Sequence, residues 1–186
     1  MKQWLCKGVF NVLGYTHNVN PEAVSDDKSV IIGFPHTSNT DTVLALALFN
    51  ILNIPYHVLV KKELFFFPLS FLLRGVGCLP VDRNSSKNIV DQMVSEFEQR
   101  EQFSLVVAPE ATRGKAGQQR VLRTGFWHIA KAANVPIVLM RLDLDDKHGT
   151  IFDKIQPSED ITEDIERITE IYAKHNIDIP KPRQPS

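Results

Sequence analysis

The sequence predicts an α/β fold: a single domain built on a largely parallel mixed sheet flanked by helices. Three observations lead there. Short apolar, β-branched runs alternate with longer segments of helical period. A chain of 186 residues with 43% apolar content can bury about two-thirds of its unfolded surface around one core. The polar clusters that could carry chemistry each follow an apolar strand, at the edge where an open parallel sheet collects ligands.

Strands are expected over residues 29–34, 56–60, 77–81, 103–108 and 136–142. Between them, residues 40–53, 63–74, 88–100 and 126–134 have helical period and length, and residues 160–175 form a charged amphipathic helix near the end. The Pro-rich tail over 179–186 is expected to fray. No internal repeat or low-complexity linker divides the chain, so residues 1–186 read as one domain. Its motif-bearing core spans about 28–142, preceded by an amphipathic segment over 1–15.

Composition excludes several classes. With 21 basic and 22 acidic residues the formal net charge is -1, which offers no surplus to neutralise a nucleic acid. Cys6 and Cys78 lack C-x-x-C spacing, against a disulfide framework or a structural zinc site, and a reducing cytosolic setting fits. No apolar run reaches the roughly 18 residues that cross a bilayer. Two segments suit either core packing or a membrane surface: residues 1–10, and the aromatic run from Leu64 through Phe65, Phe66, Phe67 and Phe71 to Leu73, which directly follows Lys61 and Lys62. Gly75-Val76-Gly77 continues to Pro80 without a third glycine, so the dinucleotide fingerprint fails, and there is no P-loop. No G-x-S-x-G elbow is present either, which leaves Ser38 a helix cap rather than a nucleophile.

Three clusters carry candidate chemistry. In Gly33-Phe34-Pro35-His36-Thr37-Ser38-Asn39-Thr40-Asp41 an apolar strand gives way to a helix start. Ser38 or Asn39 can cap that helix, which puts Asp41 in its first turn and within reach of the His36 imidazole. A carboxylate there would fix the ring tautomer, and a neutral imidazole so held can take a proton from a substrate hydroxyl. The alternative is a capping or structural histidine. Spacing alone does not decide, because His148 and Asp153 repeat it in a polar turn entering a strand. The second cluster, Pro109-Glu110-Ala111-Thr112-Arg113, leaves another strand: Arg113 can fork onto a phosphate, Thr112 offers a hydroxyl and Glu110 can hold either in register. Read alone, it is equally a solvated loop with a surface ion pair. In the third, Pro80-Val81-Asp82-Arg83, the acid and the arginine either serve a ligand or pair with each other. His17, His57, His128 and His175 read as structural or surface residues.

Taken in order, these blocks resemble the glycerolipid acyltransferase family typified by the lysophosphatidic acid acyltransferases, whose hallmark is a histidine and an aspartate separated by four residues. His36 to Asp41 resembles the first block. Lys62-Glu63-Leu64 leading through Pro68 and Gly77 to Asp82-Arg83 resembles the second, Pro109 to Arg113 the third, and Arg123-Thr124-Gly125 with Val135-Pro136-Ile137-Val138 the fourth. The resemblance implies a glycerolipid acyltransferase-like fold and acyl transfer from acyl-CoA or acyl-carrier protein to the hydroxyl of a lysophosphatidic acid-like acceptor, without a covalent acyl-enzyme. It implies His36 as general base oriented by Asp41, and Arg83, Glu110, Ala111, Thr112 and Arg113 at the acceptor. No metal or cofactor is implied beyond the thioester co-substrate. The expected setting is cytoplasmic, peripheral on the inner face of the membrane. Ala111 stands where the family usually has glycine, and Thr40 and Gly114 also depart from common choices.

Overall fold

The computed structural model describes residues 12, 14–34, 39–82, 86–110, 121–143 and 145–182, with backbone only for 39–43 and 86–88. In chain order the elements are β1 (Thr16–Val19), β2 (Lys28–Gly33), α1 (Asn39–Ile51), β3 (Tyr56–Lys61), α2 (Leu69–Gly75), β4 (Cys78–Val81), α3 (Ser86–Gln99), β5 (Phe103–Val107), α4 (Gly125–Ala133), β6 (Ile137–Asp143), β7 (His148–Ile155) and α5 (Ile161–Lys174). The strands form one sheet in the order β1-β7-β6-β2-β5-β3-β4. Every pairing is parallel except β6 with β7.

Both faces of the central strands are covered, and that is why β2 and β6 read as continuous apolar runs rather than alternating ones. Val30, Ile32, Leu105 and Leu139 point to one face, where they pack with Met93 and Phe97 of α3, Phe126 and Ile129 of α4, and Ile165, Ile168 and Tyr172 of α5. Ile31, Val138 and Met140 point to the other, against Leu44, Leu48 and Phe49 of α1. The fully buried Asp164 fastens α5 to α4: its Oδ2 accepts from the Trp127 indole at 2.8 Å and from the Ser158 backbone at 2.6 Å.

The five expected strands are all present, and two more flank them. β1 has the composition Thr-His-Asn-Val and pairs only with β7, so this polar edge strand lacks the apolar run that marks a buried one. β7 begins at the polar turn around His148. One expected helix needs correction. Residues 63–74 form a single 3-10 turn (Lys62–Leu64), a break, and then α2. Pro68 stands between: it has no backbone N–H to donate and disfavours helical geometry at Phe67, so the apolar period continues while the helix cannot.

Candidate active site

The register fixes which clusters can meet. β2 and β5 are adjacent and parallel, with Ile32 opposite Val107, so the chain leaves both strands at the same edge, about 5 Å apart. β3 and β4 end at that edge too, with Lys61 opposite Val81. Three strand spacings separate β2 from β4, about 15 Å. The segment entering the first cluster and the segment entering the second are thus immediate neighbours. The third cluster begins across the width of a ligand.

Asp41 is the third residue of α1, in the first turn as expected, where the helix dipole favours a carboxylate. His36, Arg83, Ala111, Thr112 and Arg113 lie outside the described residues. Glu110 is described: it is half-buried and its backbone bridges antiparallel to Leu122. Leu122 in turn donates its N–H to the Lys181 carbonyl at 3.0 Å, and Arg123 donates to the Pro109 carbonyl at 2.8 Å. The ends of the 110–122 stretch are thereby held together beside β5. At the end of β4, Asp82 accepts from the Lys62 ammonium, and this bond holds the Lys62 pKa above the usual lysine value. Asp82 therefore has a partner in the turn that follows the neighbouring strand β3, whereas the sequence alone offers only Arg83.

At the exit of β2, Phe34 is fully buried and meets the Tyr172 ring edge-on at 5.1 Å. The Tyr172 hydroxyl reaches the carbonyls of Ile32 and Met140, both at 3.0 Å, and so ties β2 to β6 just before residues 35–38. Sequence reasoning missed this brace. Its partners are 140 and 32 residues away, and no local pattern encodes such a contact.

The other histidines have structural surroundings. His57 stacks on Phe103 at 4.5 Å, His175 stacks on Phe152 at 4.2 Å, and the exposed His128 lies edge-on to Trp127 at 5.2 Å. The repeated spacing at His148 and Asp153 falls inside one extended strand, which separates the two residues by about 16 Å. His148 instead lies 2.6 Å from the Thr16 hydroxyl. Among the described residues no three His, Cys, Asp or Glu side chains converge as a metal site.

A family model described as Acyltransferase matches residues 16–142, from the first residue of β1 into β6, which takes in all four blocks. The chain belongs to the acyltransferase family. The 1-acyl-sn-glycerol-3-phosphate acyltransferase of Escherichia coli strain K12 is 33% identical to it over 107 residues. The enzyme of the same description from Salmonella typhimurium strain LT2 matches equally. In both cases the match covers 55% of this acyltransferase chain and 42% of the relative, so it spans less than half the relatives' length. The crystal structure of the 1-acyl-sn-glycerophosphate (LPA) acyltransferase PlsC from Thermotoga maritima superposes with a TM-score of 0.65 at 15% identity, covering 93% of this chain and 76% of that one. The acyltransferase chain and PlsC therefore share a fold across almost all of the present sequence.

Proposed function

We propose that this acyltransferase-family chain transfers a fatty acyl group from acyl-CoA or acyl-carrier protein to the hydroxyl of a lysophosphatidic acid-like acceptor. The observation that carries the proposal is the adjacency of β2 and β5: the segments bearing His36 and Glu110 to Arg113 start from neighbouring parallel strand ends. The naming of both curated relatives as 1-acyl-sn-glycerol-3-phosphate acyltransferases supports the acceptor class.

In the proposed reaction His36 removes the proton of the acceptor hydroxyl, and the oxygen attacks the thioester carbonyl carbon. The tetrahedral intermediate collapses with cleavage of the carbon–sulfur bond, and the leaving thiolate takes the proton back from the imidazolium. Asp41, at a helix N-terminus that stabilises its charge, orients the ring. Arg113 and Arg83 take the acceptor phosphate, Arg113 from the β5 side and Arg83 from beyond β4. Glu110, Ala111 and Thr112 line the same pocket, which uses no cofactor beyond the thioester. A second reading keeps this chemistry and changes the acceptor to glycerol phosphate, another lysophospholipid or a plain alcohol, because Ala111 adds a methyl group where the family usually has glycine.

The test is thiol release from acyl-CoA and acyl-carrier donors across a panel of lysophospholipids and glycerol phosphate. Acceptor-dependent release that is lost in His36→Ala establishes the reaction and names the acceptor. Release equal to background with every donor and acceptor rejects it in favour of a lipid-binding module.

A further inference from the structure

We propose that the surface formed by the chain after β3 docks the protein on a lipid bilayer containing anionic headgroups. Within nine residues it leaves five large apolar side chains in solvent: Leu64 is 46% exposed, Phe66 57%, Phe67 80%, Phe71 75% and Leu72 65%. Soluble surfaces carry single exposed apolar residues, but seldom a contiguous group of this size. The group is continuous across Pro68, since Phe71 in the first turn of α2 meets Phe67 before the proline edge-on at 6.4 Å.

The charges around the patch select the occupant. Between residues 61 and 74 the chain has three cations, Lys61, Lys62 and Arg74, and one carboxylate, Glu63. Lys62 is bound to Asp82, Arg74 lies over the Phe65 ring at 5.7 Å, and Lys61 is exposed. With Asp82 counted beside Glu63, three cations face two carboxylates and the collar around the apolar tip stays net cationic, which matches the acyl region and the headgroups of an anionic bilayer in that order. It does not match a second copy of itself, since face-to-face association would bring two cationic collars together.

The patch also has a defined place in the fold. It starts where β3 leaves the sheet, next to β5, on the edge that carries the candidate active site. Docking there turns that edge toward the bilayer, so an acceptor partitioned among lipids would enter from the membrane plane. This last step rests on the proposed acyl transfer, whereas the docking does not.

Vesicle sedimentation tests it, using phosphatidylcholine vesicles with and without about 30 mol% phosphatidylglycerol. The parent protein is expected to partition onto the anionic vesicles. The double variant Phe67→Glu/Phe71→Glu should lose on the order of tenfold or more of that partitioning. Lys61→Glu should shrink the preference for anionic over neutral vesicles. Both changes are at exposed positions, so thermal melts should be unchanged. Should the double variant fold poorly, Phe67→Trp provides a second reading, its emission shifting to the blue on anionic vesicles. Absence of binding by the parent, undiminished binding by the double variant, or an unshifted emission spectrum for Phe67→Trp overturns the proposal. So does light scattering that shows a dimer dispersed by the double variant while vesicle binding is unaffected. Activity on a monomeric short-chain acceptor separates the two proposals: its retention in the double variant leaves catalysis standing, and its absence in the parent removes catalysis without touching docking.

Discussion

The hydroxyl of Tyr172 near the end of α5 lies 3.0 Å from the carbonyl oxygen of Ile32 in β2, and it shares its single proton between that oxygen and the carbonyl of Met140. The ring is completely buried, and burial pushes the phenol pKa up, so the group remains a donor across any working pH. A C-terminal helix thus steadies the strand that delivers His36. Tyr172→Phe keeps the ring contacts with Phe34 and Phe152 and removes the bond, leaving two buried carbonyls to share what donors remain. The expected loss is about 1–2 kcal/mol in urea unfolding.

If the acyl transfer proceeds as proposed, His36→Ala should lower kcat by about 10²- to 10⁴-fold, the range for loss of a positioned base. Asp41→Asn keeps the shape of the side chain and removes its charge, so its loss should be large but smaller than that of His36→Ala. Steady-state thiol release checks both. Unchanged melting temperatures would separate lost chemistry from lost folding.

Gly77 has φ +80, and a Cβ placed there would sit 2.7 Å from the Tyr56 carbonyl oxygen. Both the conformation and the space require glycine, and backbone cannot retreat as a flexible side chain would. Gly77→Ala should destabilise the α2 to β4 connection by at least about 2 kcal/mol in chemical denaturation.

Burial lowers the pKa of His57, and the neighbouring Arg100 guanidinium lowers it further. Arg100 Nη1 lies 3.3 Å from His57 Nε2, which accepts from it only while the ring is neutral. Below the ordinary value of 6.5 the unfolded chain binds a proton that the folded chain refuses, so stability should fall as pH drops through that value and be insensitive to this group well above it. His57→Phe, which can stack on Phe103 in the same place, should flatten the change in urea midpoint between about pH 8 and pH 5.5.

How far the fold could be read in advance follows from what each element buries. β2, β5 and β6 are apolar on both faces and announce themselves, and the alternation with helices gives the parallel sheet. β1 buries little and was invisible, while residues 63–74 kept a helical period across a proline that does not permit the helix. At the candidate site the order of the clusters was legible because each follows a strand. Their relative closeness was not, since it depends on the order β2-β5-β3-β4, which no local pattern specifies. The Lys62 to Asp82 pair and the Tyr172 brace were hidden for the same reason: both join residues brought together only by the finished sheet.

The bridges that join Glu110 to Leu122, and Leu122 to Pro182, act as a clasp that fixes where the chain leaves and rejoins the described fold. With both ends already fastened, doubling the length between them would cost only about 0.6 kcal/mol in closure entropy. If the acyl transfer proceeds as proposed, acceptor preference can change between those two fixed points while the β2 edge that leads to the proposed base stays where it is.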